Sequence, residues 1–415
     1  MLTLRNGMRL IVAARDWNRV LALNLFIEGG SAEDPQGLEG LANLAQNLLL
    51  KGTSLRSAEQ IAREIESVGG QIDVSTSVDF AEAYTVTVVE DLPLALDLLA
   101  DVVLRPTFLP EEIEKERALA LSQIRRRQDD PFAFTYEEFL KALYEGHPYG
   151  HPVEGEEPSV KAIAAQDIGA FHARRCHPQR MVLAACGNVE PKALAQAVEL
   201  AFAEFPAGQP SSRLQAYKRV RPKFESIELR KDCKQAFIIA GFPAVPYSHE
   251  DYPALRVANA ILGEGMSARL FRRLRDERSL AYDVGSALVP RLYSGHLILW
   301  IGASPQMAET ARLGLLAEAR SLAQGLTNEE FVRAKQYLIG RHLIARQSNQ
   351  AKAHYLGLCE VSGVGFGFDD RLPDLLRRVS KEQALSAFDR YVRASPISVA
   401  LLPKGAVASS RLQGF

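Results

Sequence analysis

Similar segments recur along this chain at a nearly fixed offset. Each pair combines related residue types in a similar order, and every offset is a little over half the chain length. The pairs are Leu21–Gly29 with Gln235–Gly241, Lys51–Ser54 with Glu264–Ser267, Ile72–Val74 with Tyr282–Val284, and Glu111–Ile113 with Glu329–Phe331. A shared offset across several elements indicates duplication of one α+β domain of about 200 residues. The alternative is chance likeness among common residue types.

The length of 415 residues also points to more than one domain, because single hydrophobic cores seldom grow beyond roughly 250–300 residues. The regular pattern breaks after residue 205, where Pro206, Pro210 and Pro222 accompany turn-rich and basic stretches. We therefore predict an N-terminal domain at 1–205, a linker at 206–222 and a homologous C-terminal domain at 223–415.

The hydrophobic pattern of the first half alternates between strand and helix periods. Asn6-Gly7 between apolar runs predicts a hairpin, because both residues tolerate positive φ. Further strands are predicted at Leu21–Ile27 and, as a pair, within Gln71–Val89. Helices are predicted at Gly40–Leu50, Ala58–Val68, Leu92–Leu104 and Pro110–Arg127. This mixture predicts an α+β fold in which helices pack on a sheet.

The composition excludes some classes of function. Lys and Arg number 49 against 50 Asp and Glu, so no electrostatic argument favours nucleic acid or an anionic membrane as partner. No apolar run approaches the roughly 20 residues that span a bilayer. Four cysteines without Cys-x-x-Cys spacing indicate reduced, mostly buried thiols. The start lacks a signal-peptide pattern, which predicts a cytoplasmic location; a periplasmic one stays open if a leader was removed.

The stretch Gly40–Thr53 reads Gly-Leu-Ala-Asn-Leu-Ala-Gln-Asn-Leu-Leu-Leu-Lys-Gly-Thr. It resembles the active-site helix of the pitrilysin and mitochondrial-processing-peptidase family, the inverzincins, whose helix carries His-x-x-Glu-His before a similar turn. In that comparison Asn43 stands at the first His position, Gln46 at the Glu position and Asn47 at the second His position. The likeness extends over nearly the whole chain.

The family's third zinc ligand is a Glu about 76 residues after the second His, in a segment that resembles Glu116–Ile124. Here that ligand position is Gln123. Only Glu116, which matches the family's supporting carboxylate, is retained.

All four of these positions carry carboxamides of similar shape. Zinc is bound in proteins by imidazole, thiolate or carboxylate, whereas an amide nitrogen has no available lone pair and an amide oxygen is a weak ligand. Gln46 also cannot act as a general base near neutral pH. We therefore expect no zinc in this chain. Without the family comparison, the three helical amides would be only a polar stripe on a helix.

The second half contains a different set of candidate residues. Gly263 and Gly265 lie in a segment that resembles the family's glycine-rich segment, followed by a helix that contains Arg275 and leads to Tyr282. In the family's catalytic assemblies, an Arg and a Tyr with this spacing contact substrate beside the zinc. Such a pair can donate hydrogen bonds to a carbonyl oxygen that becomes negative. The alternative is a solvated charged helix followed by a half-buried strand aromatic.

The resemblance implies two homologous domains, each a mostly antiparallel sheet packed with helices, that form half of a clamshell. It implies the zinc-free subunit of a heterodimeric endopeptidase, which cleaves unfolded peptides only together with a zinc-bearing homologous partner. Gln71–Ser77 matches the family's edge strand for extended peptides, although an ordinary structural strand fits equally well. Other readings are a non-catalytic assembly or peptide-binding protein, and a self-sufficient hydrolase, for which no nucleophile–base motif is visible.

Overall fold

The computed structural model describes residues 1–205 and 226–405, so the linker predicted at 206–222 lies outside the described residues. The strands are β1 Leu2–Thr3, β2 Arg9–Ala14, β3 Val20–Glu28, β4 Gln71–Thr76, β5 Phe80–Val88, β6 Met181–Gly187, β7 Ser226–Lys231, β8 Ala236–Ala244, β9 Asp283–Pro290, β10 Gly295–Ala303 and β11 Ile397–Pro403. The helices of the first half are α1 Leu41–Asn47, α2 Ala58–Ser67, α3 Leu92–Leu104, α4 Pro110–Asp129, α5 Pro131–Leu143, α6 Glu157–Ala162, α7 Ala165–Arg175 and α8 Pro191–Ala201. Those of the second half are α9 Tyr252–Gly263, α10 Ala308–Gln324, α11 Asn328–Ile344, α12 Asn349–Val361, α13 Phe368–Arg378 and α14 Lys381–Val392, with a π-helix at Phe271–Asp276.

The local predictions for the first half are confirmed. Strands β1 and β2 form the expected antiparallel hairpin, and Gly7 adopts φ +90° in its turn. The helix predicted at Gly40–Leu50 is α-helical to Asn47 and continues as a 3-10 turn over Leu48–Lys51. Helix α2 begins with a capping box in which Ser57 and Gln60 each accept from the other's backbone N–H, which satisfies two amides that the first turn leaves unpaired.

The two sheets share one topology. The first has the order β1-β2-β6-β3-β5-β4 and the second the order β7-β11-β8-β10-β9. Without the short β1, each strand of the first sheet corresponds to one of the second. The pairs β2–β6 and β7–β11 are parallel, and the other neighbours are antiparallel. The predicted α+β class, with two homologous and mostly antiparallel sheets packed with helices, is therefore confirmed.

Helices cover both faces of the first sheet. On one face, Leu23 and Leu25 of β3 pack in a core that includes Leu99 of α3 and Val198 of α8. On the other face, apolar side chains of β2, β3 and β6 pack against Ala353 and Leu356 of α12. Because both faces are covered, β3 is buried from residue 21 onward instead of alternating.

The described chain forms two compact units, and each unit combines segments that are not contiguous in the sequence. The first comprises Met1–Arg125, Ile344–Asp369 and the described part of His151–Ala216. The second comprises Arg126–Gly150 with the described parts of Tyr217–Leu343 and Asp370–Phe415. Helix α12 thus packs on β3 and β6 of the first sheet, and α5 packs on β8 and β11 of the second. The halves of the sequence exchange equivalent helices.

None of the helices in residues 1–205 and 226–405 combines the length and hydropathy that a bilayer crossing requires.

Candidate functional site

Helix α1 carries three of the four amides that the resemblance places at the family's metal-site positions. Its start is fixed by Asp34, whose carboxylate accepts two backbone N–H groups of the first turn at 2.7 and 2.8 Å. The amides differ in burial: Gln46 is 3% exposed, whereas Asn43 and Asn47 are partly exposed. The helix therefore presents one amide to the interior and two toward its accessible side.

Gln46 has a defined role in the interior. Its Nε2 donates a hydrogen bond to the main-chain oxygen of Glu82 at 2.9 Å. A glutamate at this position in its ionised form has no hydrogen to donate. The amide therefore makes a hydrogen bond to the main chain of β5 that an ionised acid could not make.

Glu82 also belongs to a buried polar cluster that sequence analysis did not find. Its carboxylate accepts a hydrogen bond from Asn24 Nδ2 at 2.6 Å, and both of its oxygens lie 3.0 Å from Nδ1 of His354. Asn24 and Glu82 are almost fully buried, and the His354 side chain is partly exposed. His354 lies on α12, so only the helix exchange brings it beside Glu82. No local motif could have indicated this pair.

Helix α4 carries the retained carboxylate and the distal amide. Glu116 is buried, and its Oε2 lies 3.3 Å from Nζ of Lys51, at the end of the 3-10 turn that follows α1. Ile113 joins the apolar cluster of α1, so α4 packs against that helix. Gln123 is exposed, about two turns beyond Glu116 on the same helix. The structure thus brings Glu116 to the α1 segment through Lys51.

These side chains do not fit a zinc ion. Gln46 already directs its Nε2 at a carbonyl oxygen, and the remaining donors at the family's ligand positions are amide groups of Asn43, Asn47 and Gln123. Over the described ranges, no cluster of three or more His, Cys, Asp or Glu side chains is placed to hold a metal. That this chain carries no cofactor stays a prediction, drawn from the chemistry of the four amides.

The glycine-rich segment has steric reasons for both of its glycines. A Cβ on Gly263 would overlap Ser286 of β9, so glycine permits the end of α9 to approach that strand. Gly265 has φ +90°, a conformation that other residues rarely adopt. Between them, Glu264 accepts a hydrogen bond from the buried Asn259 at 2.5 Å. The segment is therefore a defined turn.

Arg275 lies in the π-helix and is exposed. Its guanidinium lies over the ring of Phe271 at 4.7 Å. The neighbouring arginines are engaged, since Arg272 pairs with Glu277 at 3.5 Å and Arg273 with an acid of α10 at 2.7 Å. Arg275 forms no side-chain hydrogen bond or ion pair to any residue that the structure describes. Its hydrogen-bond donors therefore remain available to a ligand.

Tyr282 follows the π-helix at the start of the edge strand β9. Its backbone N–H donates to the oxygen of Gly302 at 2.9 Å, which fixes the main chain. Its side chain is 62% exposed and has no hydrogen-bond partner within residues 1–205 and 226–405. Tyr282 is therefore more exposed than the half-buried aromatic of the alternative, whereas the exposed Arg275 fits either interpretation.

His147 and the pair formed by His172 and Cys176 have structural roles. Nδ1 of His147 accepts the backbone N–H of Tyr149 at 3.0 Å, and burial lowers the pKa of His147 to about 4. Nδ1 of His172 lies 3.3 Å from Sγ of Cys176, and burial raises the pKa of that thiol to about 12. Neither arrangement provides a reactive thiolate or an accessible base.

Two family models match most of this chain. Residues 10–157 match the model described as insulinase, peptidase family M16, and residues 162–338 match the model described as peptidase M16 inactive domain. Together they include every candidate residue discussed above except His354.

Relatives and solved structures resemble this chain over most or nearly all of its length. An uncharacterized zinc protease of Mycobacterium bovis is 30% identical over 413 residues, which cover 98% of this chain and 94% of that protein. An uncharacterized zinc protease of Bacillus subtilis is 28% identical and covers 84% of this chain and 85% of its own. The crystal structure of a peptidase M16 inactive domain from Pseudomonas fluorescens has a TM-score of 0.91 at 22% identity and covers 99% of both chains. The fold, the glycine-rich segment and these matches lead to one conclusion: the chain belongs to peptidase family M16.

Proposed function

We propose that this chain is the non-zinc subunit of a heterodimeric zinc endopeptidase that cleaves unfolded peptides. Arg275 and Tyr282 would contact the peptide beside the zinc of a homologous partner subunit. Their side chains would donate hydrogen bonds to the scissile carbonyl oxygen as it gains negative charge. The partner would supply the metal and the general base, which the amides of α1 cannot replace.

The availability of Arg275 is the observation that carries this proposal. Two other arginines of the π-helix lie within ion-pair distance of acids, whereas in the described structure the guanidinium of Arg275 contacts only an aromatic ring. Tyr282, seven residues later, is likewise exposed and unpartnered within the described chain. An exposed aromatic and an unpaired arginine near one edge strand are suited to bind a ligand.

The test is peptide cleavage by this chain mixed with an M16 homologue that carries the full His-x-x-Glu-His motif. Arg275→Ala and Tyr282→Phe should each lower kcat/KM about 10- to 100-fold, the range expected when a transition-state contact is lost. Arg272→Ala is the matched control, since it removes the same charge from the same helical segment and should change cleavage less than twofold.

A second candidate function is peptide binding or assembly without catalysis. It draws support from β4, which lies at the edge of the first sheet and is alternately exposed along its length, as a strand that accepts an extended peptide would be. If peptide binds the chain while Arg275→Ala and Tyr282→Phe leave cleavage by the mixture unchanged, this second function replaces the first.

A further inference from the structure

Arg269 lies six residues before Arg275 on the same helical stretch, but it points inward. Only 6% of its side chain is exposed. Its Nε donates to Oε1 of Glu330 at 2.7 Å, and its second terminal nitrogen donates to Oε2 at 2.9 Å and to the oxygen of Gly325 at 2.9 Å. A bidentate contact between a guanidinium and a carboxylate fixes the orientation of the two planar groups as well as their distance.

The carboxylate of Glu330, which accepts the hydrogen bonds from Arg269, is itself fixed by hydrogen bonds at the start of α11. Oε2 of Glu330 accepts the backbone N–H of Thr327 at 2.8 Å, and the backbone N–H of Glu330 donates to Oγ1 of Thr327 at 3.1 Å. This reciprocal pair is a capping box. The hydrogen bonds from Arg269 lower the pKa of Glu330 to about 2, against the opposing effect of burial. Glu330 is therefore charged across the physiological range.

The backbone between Arg269 and Tyr282 adopts an uncommon conformation. Phe271–Asp276 is a π-helix, in which the N–H of Glu277 donates to the oxygen of Arg272 at 2.9 Å. The N–H of Leu280 donates to the oxygen of Leu274 at 2.8 Å, and Ser279 has φ +51°. π-helices are rare, and a positive φ strains a residue other than glycine. Such features persist when the surrounding contacts determine them.

We propose that the Arg269–Glu330 ion pair is the positioning device for Arg275 and Tyr282: it anchors the start of the π-helix and so maintains the register that directs both side chains to the peptide. This inference rests on the proposed function of that pair. Arg269 and Glu330 are buried, so in this proposal they act on the peptide only through the residues that follow.

The physical consequence follows from the geometry of the anchor. While the ion pair holds the start of the π-helix in place, the segment up to Ser279 contains about one more residue per turn than an α-helix would. When its start is released, the π-helical hydrogen bonds of Glu277 and Leu280 open more often, and the segment can change register and relieve the strain. A change of register rotates Arg275 about the helix and moves the main chain that leads to Tyr282. Substrate contacts that require close alignment are then lost.

The first test examines the register in the full chain, without a partner or an activity. Arg269→Lys keeps the charge but loses the planar fork. Hydrogen exchange of the amides of Glu277 and Leu280 should become at least tenfold faster in this variant. The control is Arg56→Lys, which weakens a different ion pair, in which the partly buried Arg56 contacts the buried Asp101 at 3.0 Å. That control should leave both amides unchanged.

The second test is a double-mutant cycle on cleavage by the reconstituted complex. Arg269→Lys should lower kcat about tenfold with KM changed less than twofold, but should have no further effect in a chain that already carries both Arg275→Ala and Tyr282→Phe. Arg56→Lys should leave kcat unchanged in both backgrounds. A purely structural role for Arg269 predicts equal losses in both backgrounds.

The outcomes separate the inference from the proposed function. If Arg275→Ala does not affect cleavage, the proposed function is wrong, whatever the exchange rates show. If Arg275→Ala lowers cleavage but Arg269→Lys changes neither exchange at Glu277 and Leu280 nor kcat, the inference is overturned and the proposed function stands. Equal losses of kcat in both backgrounds also overturn it.

Discussion

At the scale of single residues, the three amides of α1 differ in what they contact. Gln46 is buried and donates to a main-chain oxygen, so its amide is part of the interior. Asn43 and Asn47, on the accessible side, have no side-chain partner among the residues that the structure describes. Substitution of Gln46 by the family's Glu should therefore lower the free energy of unfolding. Substitution of Asn43 or Asn47 should change it little.

We expect Gln46→Glu to destabilise the protein by about 3 kcal/mol at neutral pH. The change removes the hydrogen bond to Glu82 and places a carboxylate in the interior beside an acceptor, and such losses typically cost about 1–3 kcal/mol, or more with charge. Burial should raise the pKa of the new acid above its unfolded value. The protein would then be most stable below that unfolded value, and stability would be lost as the pH rises through the folded one. Urea unfolding at pH 4.5 and 7.5 measures both effects.

Asn43→Asp is the matched control on the same helix. This residue is partly exposed in the first turn of α1, where a negative charge interacts favourably with the helix dipole. Its free energy of unfolding should stay within about 0.5 kcal/mol of the parent. Equal losses for Asn43→Asp and Gln46→Glu would contradict the role assigned to the buried amide.

From the sequence, only candidate site residues that lie in local motifs could be named. Asn43, Gln123 and Arg275 were found because their spacing matches a family pattern. Glu82 and His354 were not, because 272 positions separate them and neither stands in a recognisable pattern. Contacts of this kind depend on which helix covers which sheet, and hydrophobic periodicity does not encode that choice.

At the scale of the elements, both exchanged helices pack closely on the sheets that they cover. Gly357 on α12 lies against the ring of Phe26, and a Cβ at this glycine would overlap that ring. In the second unit, Gly241 on β8 lies in the same way against the ring of Phe139 from α5. Each exchanged helix thus packs on its sheet at a point where a glycine lies against a buried phenylalanine ring.

Gly357→Ala should destabilise the protein by about 1–3 kcal/mol. Although alanine is the better helix former, the added methyl must displace Phe26, which is fully buried in a close-packed core. Thermal unfolding should show a Tm several degrees below that of the parent.

The control for this change is Gly169→Ala in α7 of the same unit, where a Cβ would meet no atom within 4 Å. It should stabilise the protein by about 0.5–1 kcal/mol, since only helix propensity changes. A rise in Tm for both variants would show that α12 does not seat on Phe26 in the way described.

Elements with strong local signals were predicted well, and those determined by context were not. The β1–β2 hairpin follows from Asn6-Gly7, and the end of α2 from the glycines at 69 and 70. The helical stretch before Tyr282 was expected, but its π-helical register was not. No residue type marks a π-helix, and the contacts that accompany this one, such as that of Arg269 with Glu330, are tertiary.

For the whole molecule, the repeated offset predicted the duplication but not the exchange of helices. Two sheets of the same strand order follow from two copies of one sequence pattern. Helices α5 and α12, however, occupy equivalent positions in the two halves of the chain, and each covers one of the two sheets. The sequence alone does not indicate which one they select, and the structure assigns each to the unit formed mainly by the other half of the chain.

The exchange predicts that the N-terminal half cannot fold by itself. A fragment of residues 1–205 lacks α12, so the sheet face that includes Ala22, Phe26 and Val182 would be exposed to water. We expect this fragment to bind a hydrophobic dye and to unfold without cooperativity. A peptide of residues 344–369 supplied in trans should restore a cooperative transition. The same peptide with Leu356→Asp should not, because that side chain is buried against the sheet. Cooperative unfolding of the fragment without any peptide would mean that the first sheet is stable without the helix it receives.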